Sequence, residues 1–162
     1  MPPSLLFDLS SIDLTAEPLF STEAIGRVNP QRFEMRQLDG ILWYDKDKSL
    51  ILGYKDVTDK EFWVRGHIPG RPLMPGVIMI EAAAQLSSFF LKEIFKEPGF
   101  IGFVGIENVK FRSIVEPGHR LLLLGHIIKY KRRGLRTHVE TQVQGVVDGA
   151  VVFDAVVAGM RI

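Results

Sequence analysis

The chain has 162 residues, 46% of them hydrophobic and 24% charged, with no cysteine and a formal net charge of +1. That is enough for one globular domain with a real core, and it excludes a disulfide framework, a thiolate metal site and a cysteine nucleophile. The near-neutral charge argues against a dedicated nucleic-acid binder, which carries a basic excess.

Residues 1–24 are mixed in character and read as an N-terminal arm, with residues 25–162 forming a single domain. The arm lacks the basic start and long apolar stretch of a signal peptide, so the cytoplasm is the expected location. A short helix is expected near Thr22–Val28. Gly40–Tyr44 and Leu50–Val57 read as strands around the charged turn Asp45-Lys46-Asp47-Lys48, and Phe62–Arg65 as a short extended piece. Pro69, Gly70, Pro72, Pro75 and Gly76 then fall within eight residues, which only a shaped loop tolerates.

The one strong helix follows, at Gly76–Phe95, and stops at Lys96-Glu97-Pro98-Gly99 because proline cannot continue it. Its most apolar part, Val77–Leu91, is shorter than a bilayer span and contains Glu81 and Gln85, so a buried helix is expected and no membrane contact. The remainder reads as strands at Phe100–Val115, His119–Lys131, Leu135–Val147 and Val151–Ile162. Arg133-Gly134 and Asp148-Gly149 supply tight turns between the last three. One apolar helix among long strands that do not alternate with helices predicts an α+β fold, a curled antiparallel sheet around a central helix.

The helix carries the chemical anomaly. Glu81, Gln85 and Ser88 lie at i, i+4 and i+7 on one stripe of an otherwise apolar helix. A carboxylate there is costly unless it is paired or put to chemical use. It is either a structural buried Glu or a group tuned by its surroundings for acid–base work. His67 stands just before the proline-rich loop, whose restricted backbone can fix an imidazole. The same loop ends at Gly76, where unpaired N–H groups and the helix dipole favour a developing oxyanion. A base, an acid and an oxyanion donor therefore lie within fifteen residues. His119, His126 and His138 have no such setting, and no metal-ligand pattern, Gly-x-Ser-x-Gly elbow or Gly-x-Gly-x-x-Gly loop occurs.

The run from His67-Ile68-Pro69-Gly70-Arg71-Pro72-Leu73-Met74-Pro75-Gly76-Val77 to Glu81-Ala82-Ala83-Ala84-Gln85 resembles the active-site signature of bacterial (3R)-hydroxyacyl-acyl-carrier-protein dehydratases of type II fatty acid synthesis. Lys55-Asp56-Val57-Thr58 with Glu61, and Phe103-Val104-Gly105-Ile106-Glu107 onward, resemble the same family, over about residues 30–162. The resemblance implies a hot-dog fold, the helix enclosed by the sheet, in homodimers that can assemble into hexamers. It implies His67 as base and Glu81 as acid, acting across the dimer interface. Gly76, Val77, Gln85, Phe103 and Gly105 are then the oxyanion and substrate-binding residues.

The implied substrate is a 3-hydroxyacyl thioester of acyl carrier protein or CoA, with no cofactor and no metal. Arg112, Lys131 and Arg132 are expected to dock an acidic carrier protein; the alternative for the hairpin is a solvated charged turn. The rival functions are another hot-dog activity, isomerase or thioesterase, or a non-catalytic acyl-thioester or acyl-carrier binding protein. Pro30-Gln31-Arg32-Phe33-Glu34-Met35-Arg36-Gln37-Leu38-Asp39 departs from the family's N-terminal box at Gln31, Glu34, Arg36 and Gln37. Gly102 stands where the family commonly has tyrosine.

Overall fold

The computed structural model describes residues 2–161; Met1 and Ile162, the last residue of the expected final strand, lie outside the described residues. Seven strands form one antiparallel sheet: β1 (Phe20–Ser21), β2 (Gly40–Asp45), β3 (Leu50–Asp56), β4 (Ile101–Phe111), β5 (Arg120–Arg133), β6 (Arg136–Val147) and β7 (Ala150–Arg161). Their order is β1-β2-β3-β5-β6-β7-β4. A short helix α1 (Thr22–Gly26) follows β1, and the central helix α2 (Gly76–Phe89) packs into the curl of the sheet. This is the expected hot-dog arrangement, with the sheet wrapped but not closed. Asp148 and Gly149 both take positive φ, the backbone a tight two-residue hairpin turn requires.

Helix and sheet meet at Leu86. A Cβ on Gly53 would stand 2.8 Å from one of its methyl carbons, and a Cβ on Gly125 3.4 Å from the other. The two glycines open the sheet where this side chain enters it. Around this contact the concave face of the sheet and the helix share one core that includes Ile41, Ile51, Leu121, Leu123, Phe89 and Phe90.

The convex face has its own cover. Leu42, Leu52, Leu122, Leu124 and Val146 form a second cluster, and Leu5, Leu6, Phe7, Leu9, Ile12 and Leu14 of the arm pack on it. Gln144 fastens the arm, accepting from Leu6 N (2.9 Å) and donating to Ser4 O (2.9 Å). Because both faces are covered, Leu121-Leu122-Leu123-Leu124 is an unbroken apolar run rather than an alternating one.

Two sequence expectations need correction. Phe62–Arg65 is not extended: Val64 N donates to Glu61 O and Gly66 N to Trp63 O, so the segment coils to bury Trp63. The helix is also not α-helical to Phe95. It passes at Phe90–Ile94 into a π-helical turn, with Phe95 N donating to Phe90 O. That wider turn keeps Phe90 and Leu91 buried while the Phe95 ring packs between Phe90 and Tyr130.

Beyond the turn, the buried Glu97 carboxylate accepts from Tyr130 Oη, Thr137 Oγ1 (2.7 Å) and Arg132 Nη2 (3.2 Å), with Arg161 3.6 Å away. Burial pushes the carboxyl up, but the bonds from Tyr130, Thr137 and Arg132 outweigh it and hold it below the ordinary 4.5. Burial and the adjacent carboxylate push the Tyr130 hydroxyl up to about 12. A depressed carboxyl stabilises the fold above its unfolded value and loses that contribution as pH falls through the folded value. Unfolding of the wild type should therefore ease steeply below about pH 4.5. Glu97→Gln should be less stable at neutral pH and show a flatter acid limb, measured by urea unfolding across pH.

Candidate active site

His67 ends the coiled segment that buries Trp63. Its N–H donates to Trp63 O (2.7 Å), and Leu73 N donates to His67 O (2.9 Å). The ring is held as well: Nδ1 lies 2.8 Å from Leu73 O. A carbonyl can only accept, so Nδ1 carries the proton of the neutral ring. Nε2 then keeps its lone pair, and the imidazole is exposed. The clamp thus fixes tautomer and orientation together, as a base requires.

Behind this segment Lys55 Nζ pairs with Glu61 Oε1 at 3.0 Å, both side chains largely out of solvent. Glu61 Oε2 accepts from the N–H and hydroxyl of Thr58, each at 3.0 Å. Burial raises the Glu61 carboxyl, and the bonds from Lys55 and Thr58 more than reverse it. Asp39 accepts from Asp56 N (2.7 Å), and its burial pushes its carboxyl up, against the opposing charge of Lys55. These groups tie the root of the His67 segment to β3.

Gly76 opens α2. Ile78 N and Met79 N donate to Pro75 O, while among the described residues the N–H groups of Gly76 and Val77 meet no acceptor. They are the unpaired donors a helix start leaves. A Cβ on Gly76 would lie 2.6 Å from the Phe111 ring, so glycine here admits the edge strand as well as exposing the amide.

Glu81 is half-buried, not enclosed as its apolar neighbours suggested, because α2 presents it to an open side. It lines a cleft of ≈ 150 Å³ between α2 and the strands β4 and β7. Gln85 and Phe103 share that cleft; Gly105, Val77 and His67 do not line it. Gln85 is buried and makes a full set of contacts. Its Nε2 donates to Glu81 Oε1 (2.8 Å) and Met35 O (2.7 Å), and its Oε1 accepts from Gln37 N (3.0 Å). Asn29 Nδ2 donates to the Gln85 carbonyl (2.9 Å). Residues 29–37 are therefore wired to Glu81 through Gln85, a link the sequence did not reveal beyond the polar Gln85 itself. Gln85→Leu strands the Gln37 N–H and the Met35 carbonyl, at a cost of about 1–3 kcal/mol for each group. We expect a lower Tm together with a loss in kcat, checked by calorimetry and steady-state kinetics.

Two of the three predicted docking cations are already paired. Arg112 Nε pairs with Asp154 (2.5 Å), and Arg132 with Glu97. Lys131, Arg133 and Arg136 lie exposed at the β5–β6 hairpin. Among the described residues no group of three or more His, Asp or Glu could hold a metal ion, and no helix is long and apolar enough to cross a membrane.

A family model described as a FabA-like domain matches residues 29–156. Over 132 residues, 81% of the chain, it is 38% identical to a 3-hydroxyacyl-[acyl-carrier-protein] dehydratase FabZ of Fusobacterium nucleatum, covering 92% of that protein. The enzyme of the same name from Brucella ovis is 39% identical over 140 residues, 85% of this chain and 86% of that one. In three dimensions the chain resembles the dehydratase heterocomplex ApeI:P from Xenorhabdus doucetiae. The TM-score is 0.69 at 13% identity, over 85% of this chain and 90% of that one. A putative thioesterase from Ralstonia eutropha shares the fold at TM-score 0.59 and 12% identity, over 74% of this chain and 82% of that one.

Proposed function

The chain belongs to the FabA-like family, and on that premise we propose that it is a hydro-lyase converting a 3-hydroxyacyl thioester into the trans-2-enoyl thioester and water. Identity of 38–39% to named dehydratases along more than four-fifths of the chain supports the activity. The observation that carries the residue roles is the Nδ1–Leu73 clamp, which leaves His67 Nε2 as the acceptor. Nε2 takes the proton from the carbon next to the thioester carbonyl. The negative charge that develops on the carbonyl oxygen is held by the Gly76 N–H, with Val77 beside it. Glu81, with Oε1 bonded to Gln85, gives a proton from Oε2 to the 3-hydroxyl, which leaves as water. Phe103 forms the wall of the acyl path, and Gly105 continues that strand.

The working unit is a homodimer in which His67 of one copy faces Glu81 of another. Two features favour this. His67 does not line the cleft that contains Glu81 of its own chain. Among the described residues strand β4 pairs on one side only, with β7, and it carries the exposed Phe103, Val104, Ile106 and Phe111. A long apolar edge strand is stable only when covered, and a second β4 covers it symmetrically.

The carrier is acyl carrier protein, docked at Lys131 with Arg112 and Arg132, and the site of action is the cytoplasm. The test is to follow enoyl absorbance with 3-hydroxyacyl groups on acyl carrier protein and on CoA. Enoyl product without released thiol supports the reading; thiol release without enoyl product would make the protein a thioesterase, and no conversion a binding protein.

A further inference from the structure

The cleft at Glu81 continues along the helix well past the reacting atoms, and its far part is not purely apolar. Ser88 lies seven residues beyond Glu81, about 10 Å along an α-helix rising 1.5 Å per residue, and Lys92 lies four residues further on, in the π turn. Both line the cleft, as does Gln31 from the loop opposite. Gln31 Oε1 is buried with no donor. Among the described residues the Ser88 hydroxyl has no partner, and Lys92 Nζ donates once, to Gly99 O (2.7 Å). Apart from these, from Glu81 and Gln85, and from Ser87, whose hydroxyl is bonded to that of Thr141 (2.7 Å), the lining is apolar, with Leu91, Phe100 and Phe103 among it.

A plain alkyl tail laid in this cleft leaves the buried Gln31 oxygen unpaired and covers the Ser88 hydroxyl, which is unfavourable. A tail bearing a hydroxyl satisfies both, donating to Gln31 Oε1 and accepting from Ser88 Oγ. A site with polar groups placed to bond a substrate hydroxyl discriminates against the analogue lacking it. Building on the dehydratase reading, we propose that the preferred substrate is a 3-hydroxyacyl thioester whose chain carries a second hydroxyl remote from C3, recognised by Gln31 and Ser88. Lys92 marks the polar end of the path.

The test compares two substrates of equal chain length on the same carrier, one with an alkyl tail and one with a hydroxyl toward its end, moved along the chain in a small panel. At the best position the hydroxylated substrate should have a kcat/KM roughly tenfold higher, and Gln31→Leu combined with Ser88→Ala should remove or invert that ratio. Conversion of both tails at equal rates, or a preference for alkyl at every position, overturns the proposal and leaves the dehydratase reading intact. The same holds if the double variant slows both tails by one factor, because Gln31 and Ser88 would then serve the part of the substrate common to both. Failure to convert any substrate overturns both readings.

Discussion

Replacing His67 with alanine should lower kcat by about 10²–10⁴ while leaving the fold in place. In the proposed mechanism His67 takes the carbon-bound proton, and water in its position is a far weaker acceptor. The structural cost is small. The imidazole is exposed and makes a single bond, to Leu73 O, whereas the backbone bonds to Trp63 and Leu73 do not depend on it. Circular dichroism and Tm should therefore match the wild type while enoyl formation disappears. Retained turnover in a folded protein would remove His67 from the mechanism.

Glu81→Gln should have an effect of similar size for a different reason. The amide preserves shape and can still accept from Gln85, so residues 29–37 keep their anchorage. It has no proton acidic enough to give to a departing hydroxyl, and loss of a general acid costs about 10²–10⁴. KM should change little, separating this variant from Gln85→Leu, in which the scaffold itself is damaged. Full activity of Glu81→Gln on a 3-hydroxyacyl thioester would assign the acid elsewhere.

Most of the frame was legible in the sequence, and the reasons are local. Gly40, Gly76 and the hairpin dipeptide Asp148-Gly149 mark element ends through backbone preference, and the observed elements begin or turn there; the turn expected at Arg133-Gly134 falls one residue later, at Gly134-Leu135, because Arg133 pairs with Arg136. The end of the helix was not legible. Nothing in Phe90-Leu91-Lys92-Glu93-Ile94 distinguishes a π turn from an α turn; the widening depends on where Phe95 and Glu97 find partners in β5 and β6, which is tertiary information. Phe62–Arg65 failed likewise, since Trp63 is drawn into the core by groups distant in sequence.

The arm offered a signal that can be read in hindsight. Four consecutive leucines, Leu121–Leu124, in an antiparallel strand need cover on both faces, and the apolar residues between Leu5 and Leu14 supply it. In the site, Glu81, Gln85 and Gly76 stood out by residue type and spacing, Phe103 only through the family resemblance, and Glu81, Gln85 and Phe103 share the cleft. Asn29, Gln37 and the Leu73 carbonyl did not stand out, because backbone acceptors and distant amides leave no pattern along a chain. Glu81 proved less buried than its neighbours implied, as expected if a second copy completes its surroundings.

That last point gives the most direct test. His67→Ala and Glu81→Gln, each inactive alone, are unfolded together, refolded and assayed on a 3-hydroxyacyl thioester of acyl carrier protein. If each site takes His67 from one copy and Glu81 from another, half of the randomly formed dimers are mixed and each has one intact site of two. About a quarter of wild-type activity should then return. No recovery from two folded, dimeric variants that demonstrably exchange subunits would contradict a dehydratase site shared between two copies.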